Sequence, residues 1–180
     1  ALGVCKLSYC VVEKAGAAAN SIFCMNNGGG LEISHCRISG SGGGDVIQLD
    51  QGSPKIFKSR ISGDGNNRWI GTMSANNYNP RIDSCTFSGT LTERSVTVGR
   101  YFQMSGNEFI GGGVIKVYSG FLDSSRTWRK QTGGYYQVQW DSDPMSVVGG
   151  ATLTIEPGVT VKFDNNNGLY AGFFSSPGRL

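Results

Sequence analysis

The sequence lacks several features that identify common classes of protein. No apolar run approaches the roughly 18 residues that a membrane-spanning helix needs, so we predict no membrane span. Hydrophobic residues make up 38% of the 180 residues, too few for a helical bundle and too many for a disordered chain. The net charge of +3, from 16 basic and 13 acidic side chains, is too weak a bias to indicate nucleic-acid binding. The length of 180 residues fits about one globular domain.

Proline, histidine and paired cysteine motifs are also scarce. The chain has five prolines, one histidine and five cysteines, and no two cysteines form a Cys-x-x-Cys pair. A zinc site is therefore not expected. The cysteines are either free buried thiols or, in a secreted protein, members of one or two disulfides, and the sequence leaves both alternatives open.

Glycine is abundant instead. It occupies 28 of 180 positions, or about 16%, roughly twice its usual share of about 7%. Glycine clusters with serine and asparagine at residues 26–30, 41–44 and 111–113, which we predict to be turns. These clusters are not phosphate-binding loops, because no helical pattern follows them.

A short pattern, apolar-x-x-small-x-apolar, recurs through the first two thirds of the chain. The steps between successive small positions are 26, 23, 26 and 22 residues. A second short β-rich segment follows each copy, and no segment shows a helical period. The small position is occupied by Cys10, Cys36, Ser59, Cys85 and Asn107.

A step of 22–26 residues with short strands and no helix predicts a parallel β-helix of about five coils over residues 1–120. Equivalent residues then stack about 4.8 Å apart, and the small positions form a buried ladder in which cysteines are core members rather than catalytic thiols. The inward apolar columns are Leu7, Ile33, Ile56, Ile82 and Met104, and Val12, Ile38, Ile61, Phe87 and Phe109.

This repeat resembles the right-handed parallel β-helix of the pectate-lyase-like superfamily, and its small position is similar to the stacked turn ladder of that fold. The resemblance covers roughly residues 5–120. It implies an all-β, right-handed solenoid. It implies little about activity, because the fold is shared by lyases, hydrolases, adhesins and phage tail spikes.

The remainder of the chain departs from the repeat. We predict an irregular, aromatic-rich junction over residues 121–146, followed by further β-helix-like coils over 147–180. The stretch GATLTIEPGVTVKF resembles the opening coils of extracellular β-helix proteins. Either a second solenoid begins near residue 128 in a longer protein, or copies of the chain associate end to end. Uncapped solenoid ends favour such association.

Basic and aromatic residues on the outside of the coils suggest glycan binding. The basic columns are either a groove for an anionic polysaccharide or a solvated face that keeps the stacked sheet soluble. The aromatic rings either stack on sugars or fill space between packed segments. The single histidine, His35, is better explained as an incidental surface residue than as a catalytic base. The candidate glycan-binding residues are Lys55, Lys58, Arg60, Arg81, Arg37, Trp69 and Tyr78.

No catalytic carboxylate cluster can be assembled from matching repeat positions, so no catalytic residue is assigned. The pair Asp141 and Asp143 is a weak signal for Ca²⁺ and is better explained as a turn cap, so no cofactor is predicted. We therefore expect a secreted or cell-surface module with a structural, adhesive or filament-forming role. The alternatives are a polysaccharide-active enzyme of the lyase or hydrolase type and a glycan-binding module.

Overall fold

The chain folds as an all-β parallel solenoid of about six turns in the computed structural model. No α-helix occurs among the residues that the structure describes. Every strand pairing between them is parallel, as expected when each coil stacks on the previous one. The described residues are 4–14, 20–24, 30–49, 52–65, 68–72, 79–139, 143–164, 167–172 and 178–179.

Each of the first four coils contains three short strands, separated by turns. They are β1 (Val4–Ser8), β2 (Val11–Lys14), β3 (Ile22–Cys24), β4 (Gly30–Ser34), β5 (Arg37–Ser41), β6 (Ile47–Leu49), β7 (Lys55–Phe57), β8 (Arg60–Asp64), β9 (Ile70–Thr72), β10 (Arg81–Asp83), β11 (Thr86–Thr90) and β12 (Ser95–Val98).

The later coils contain longer and less regular strands. They are β13 (Gln103–Ser105), β14 (Glu108–Tyr118), β15 (Phe121–Leu122), β16 (Arg126–Trp128), β17 (Thr132–Gln139), β18 (Met145–Val147), β19 (Leu153–Ile155), β20 (Val161–Phe163) and β21 (Leu169–Ala171).

The strands stack into sheets along the solenoid. One sheet has the order β1-β4-β7-β10-β13. The strands β2, β5, β8 and β11 form a second face and β3, β6, β9 and β12 a third, and both end on the long strand β14. From β14 the stack continues through β17 to β20, while β15-β18-β21 and β16-β19 form two further sheets.

The predicted apolar columns are confirmed by the strand register. Ile33 lies beside Ile56, which lies beside Ile82, and all three side chains are wholly buried. In the second column, Ile61 lies beside Phe87, and both are wholly buried as well. These columns form the core of the solenoid, and their burial is the main source of its stability.

The predicted small-residue ladder is also present, and hydrogen bonds join its members. The backbone N–H of Cys36 donates to Ser59 Oγ at 3.1 Å, and that of Cys85 donates to Asn107 Oδ1 at 2.9 Å. The ladder has a sixth member that the repeat did not reveal, because the backbone N–H of Asn107 donates to Gln131 Oε1 at 3.1 Å.

A column of left-handed residues precedes this ladder and makes the sharp corner between faces. The backbone angle φ of these residues ranges from 43° to 61°, a region that residues other than glycine rarely adopt. Each such residue directly precedes a ladder residue, so the corner has the same geometry in every coil. The column consists of Tyr9, His35, Lys58, Ser84 and Gly106.

Residues 121–146, which the sequence predicts to be irregular, contain β15 to β18. Strand β17 continues the sheet by pairing with β14, from Val114 beside Tyr135 to Tyr118 beside Gln139. The aromatic ring of Trp128 stacks on Tyr136 inside the core, 5.2 Å between centroids. These rings replace the aliphatic residues of earlier coils, which hides the repeat from sequence comparison. The division at residues 120 and 146 stays a prediction.

Candidate functional site

The first coil leaves core residues uncovered. Val12 is only partly buried, whereas Ile38, the next residue in its column, is wholly buried. Leu7 shows the same difference from Ile33. Among the described residues β1, β2 and β3 have a partner strand on one side only. This end of the solenoid therefore exposes both apolar surface and unpaired strand edges.

The last coil has the same property. Val161 is partly buried, and Phe163 is 41% exposed although its column neighbour Val138 is wholly buried. Strands β20 and β21 are each paired on one side only in the described part of the chain. Both ends thus present parallel strand edges beside an apolar core.

The structure places the predicted basic residues in two adjacent outer columns. Arg81 lies beside Lys55 in the register of β10 and β7, and Arg60 lies beside Arg37 in that of β8 and β5. Lys58 occupies the left-handed corner between the columns, and all five side chains are exposed. Like charges directly opposite each other on a sheet repel, so an anion bound across them would be favoured.

A groove lies where the first sheet ends. All of residues 79–139 are described, and no ladder joins β13 to β16 across this gap. The groove between them has a volume of about 550 Å³. Its lining combines arginine with hydroxyl side chains, and it includes Arg81, Arg126, Arg129, Ser125, Thr127 and Thr154.

A second groove of about 670 Å³ adjoins the first one. The two share Arg81, Gln103 and Arg126, so they form one continuous trough, which we call the split-sheet groove. The second part adds Lys55 and Asp123. The groove therefore contains two of the predicted basic residues and two arginines that the sequence did not single out.

The acidic residues of the split-sheet groove already have partners. Asp83 accepts a hydrogen bond from Arg81 Nε at 2.7 Å, and Asp123 accepts one from the Tyr101 hydroxyl at 2.7 Å. Burial and the neighbouring Asp123 raise the pKa of Tyr101, so this hydroxyl keeps its proton. The guanidinium of Arg126 lies 5.4 Å from the centre of the Tyr101 ring.

The aromatic part of the predicted glycan surface is not supported. The Trp69 side chain has no exposed area, and its Nε1 donates to the carbonyl of Ser88 at 2.8 Å. The prediction that Trp69 stacks on a sugar is therefore wrong, because the ring packs inside the core. Tyr78 lies outside the described residues. His35 is exposed and stacks on Tyr9, 4.6 Å between ring centroids.

One buried carboxylate lies outside the split-sheet groove. Asp45 is 3% exposed, and Arg68 binds both of its oxygens at 3.0 Å. Gly71 beneath this pair has no room for a side chain, since an added Cβ would lie 1.8 Å from the Asp45 carboxylate. The pair therefore fixes the turn before β6 rather than offering a free carboxylate.

The described residues provide no candidate for a metal site or for a membrane-spanning helix. They include no group of three or more histidine, cysteine, aspartate or glutamate side chains placed to hold a metal ion. Of the weak Ca²⁺ candidates, Asp141 lies outside the described residues. No helix in the described part of the chain is long and apolar enough to cross a membrane.

The class that the fold defines is the parallel β-solenoid. Comparison with protein-family models, with curated proteins and with solved structures gave no match to this chain. The two uncovered ends and the split-sheet groove are therefore the candidate functional surfaces of this chain.

Proposed function

We propose that this chain is a non-catalytic structural module, secreted or displayed on a cell surface, that associates end to end. The observation that carries the proposal is that apolar core columns are uncovered at both ends of the solenoid. Val12 at one end and Phe163 at the other belong to two different columns, and their column neighbours Ile38 and Val138 are wholly buried. Covering these residues removes apolar area from water and pairs the strand edges.

Parallel stacking determines how two copies fit. All strands of one face run in the same direction, so the last coil of one copy meets the first coil of the next with matching polarity. Such head-to-tail contact continues a parallel ladder and leaves one first coil and one last coil free on each assembly. A heterologous contact of this kind does not close and generates filaments.

The two ends can be tested separately with charged variants. We expect Val12→Lys and Phe163→Lys each to weaken self-association at least about tenfold, because a lysine would be buried without a partner. Sedimentation equilibrium over a range of concentrations measures this, and circular dichroism checks that each variant is folded. Glu13→Lys is the matched control, since Glu13 is exposed on the same strand as Val12.

Mixing the two charged variants makes the test specific for head-to-tail contact. The mixture retains one unaltered pair of ends, which are the last coil of the Val12→Lys chain and the first coil of the Phe163→Lys chain. We therefore expect dimers in the mixture and monomers in each solution alone. A wild-type chain that stays monomeric at about 0.1 mM, a concentration at which even weak specific contacts form, would contradict the proposal.

A second candidate function, the binding of an anionic polysaccharide, is favoured by the split-sheet groove. Lys55, Arg81, Arg126 and Arg129 contribute basic side chains to it. Arg81 forms an ion pair with Asp83, and Arg129 forms one with Glu156. Lys55 and Arg126 therefore contribute most of the positive charge offered to a ligand. Serine and threonine hydroxyls complete a lining that matches sugar hydroxyls and carboxylates. Arginine binds carboxylates through two parallel hydrogen bonds, which favours a uronic-acid polymer.

Polygalacturonate is a suitable probe for this groove. We expect Arg126→Gln to weaken binding about tenfold or more in isothermal titration calorimetry, because the guanidinium lies at the junction of both grooves. Lys162→Gln is the control, because Lys162 lies over Tyr135 on another face. Equal weakening by both variants would indicate charge attraction without a site, and no binding by the wild type would exclude this function.

A further inference from the structure

Two cysteines of the small-residue ladder are in contact. Cys10 Sγ and Cys36 Sγ lie 3.2 Å apart, in the first and second coils. The two residues follow the ends of neighbouring strands β1 and β4, whose last residues Ser8 and Ser34 are in register. The backbone N–H of Arg37 donates to the Cys10 carbonyl at 3.0 Å, so hydrogen bonds join the two coils on both sides of the cysteine pair.

This arrangement suits a disulfide. Neighbouring strands lie about 4.8 Å apart, and disulfides join residues whose Cα atoms are roughly 4.4–6.8 Å apart. The bond therefore needs only rotation of the side chains and a small approach of the two sulfur atoms. Cys10 is partly exposed in the first coil, so an oxidant can reach it from solution.

We propose that Cys10 and Cys36 form a disulfide that fastens the first coil to the second. The oxidant is a low-molecular-weight disulfide. The thiolate of Cys10 attacks one of its sulfur atoms and releases one small thiol. The thiolate of Cys36 then attacks Cys10 Sγ and releases the second small thiol. The protein loses two hydrogen atoms, and the oxidant gains two electrons and two protons.

The disulfide would stabilise this end of the solenoid most, because the first coil has a neighbour on one side only in the described structure. The bond would close a loop between residues 26 positions apart. Restricting such a loop in the unfolded chain stabilises the folded one. The proposal does not depend on end-to-end association, because both cysteines belong to the same chain.

The other cysteines provide controls within the same molecule. Cys85 occupies the same ladder, but its neighbours there are Ser59 and Asn107, so it has no thiol beside it. Burial raises the pKa of Cys85 to about 12, and its side chain is only 1% exposed, so an oxidant in solution does not reach it. Cys5 and Cys24 also lie in the first coil and are the competing pair.

The test is oxidation of the full chain with glutathione disulfide, followed by alkylation of free thiols and digestion with trypsin and a glutamate-specific protease. Cleavage after Lys14 and Glu32 separates Cys10, Cys24 and Cys36 into different peptides. We expect mass spectrometry to find Cys10 linked to Cys36, and the melting temperature to rise by about 5–10 °C and fall again on reduction.

Serine variants decide the assignment. Cys10→Ser and Cys36→Ser should each abolish the linked peptide and the rise in melting temperature, whereas Cys85→Ser should retain both. Alkylation of both Cys10 and Cys36 after oxidation would overturn the proposal. A link between Cys5 and Cys24 alone would overturn it equally.

Discussion

Replacing Trp69 with alanine will lower the free energy of unfolding by about 3–5 kcal/mol, the range for removing a large aromatic side chain from a core. The ring has no exposed area and lies 5.6 Å from the ring centroids of both Phe87 and Phe109. Its loss also leaves the Ser88 carbonyl without the indole donor. Gly113, which lies against the rings of Phe109 and Trp69, has no side chain to fill the cavity.

Urea unfolding followed by circular dichroism measures this loss. Ile110→Ala is the matched control, because Ile110 follows Phe109 directly but is 45% exposed. We expect that control to change the stability by roughly 1 kcal/mol or less, as usual for a partly exposed side chain. Similar losses in both variants would show that Trp69 is not part of the packed core.

Replacing Asn107 with alanine will cost about 3 kcal/mol, because two buried backbone groups lose their partners at once. The side chain is 1% exposed, its Nδ2 donates to the Ile82 carbonyl at 2.8 Å, and its Oδ1 accepts from Cys85 N–H. Neither backbone group can turn to water, since both lie inside the solenoid.

Ser105→Ala provides the comparison for Asn107→Ala, because Ser105 is exposed two residues earlier in the same coil. We expect this control to remain within about 0.5 kcal/mol of the wild type. Thermal and urea unfolding of the three proteins would test the prediction. If Asn107→Ala retained wild-type stability, the ladder would be shown to contribute nothing beyond shape.

The spacing of apolar residues was enough to predict the columns of the first five coils. Ile38, Ile61 and Phe87 recur at one position of the repeat, and burial on one face of a strand requires that recurrence. The basic residues could be assigned to outer columns for the same reason. Their alternation with the inward residues determines on which side of the sheet they lie.

The strands within residues 121–146 could not be predicted because their residues fill the repeat positions with different chemistry. Gln131 replaces a small ladder residue, but its long side chain still reaches Asn107. Trp128 and Tyr136 fill the core with two stacked rings, and an aromatic cluster without aliphatic spacing does not indicate a strand. The burial of Trp69 depends on Phe87 and Phe109 of later coils, which local sequence does not reveal.

The split-sheet groove was beyond sequence analysis for a further reason. It arises where two strands fail to pair, and no residue type marks a missing ladder. Arg126 comes from β16 and Arg81 from β10, so two coils that are not neighbours must be placed before the groove exists.

The missing ladder between β13 and β16 also has a mechanical consequence. On the opposite face, β14 and β17 pair without interruption from Gly113 to Tyr118. Bending the solenoid toward that face widens the gap without breaking a backbone hydrogen bond between β13 and β16, whereas bending at any of the first four coils must stretch a ladder. Stiffness along the axis is therefore uneven, with a compliant joint at the fifth coil, and a ligand that bound both lips of the gap would act as a brace.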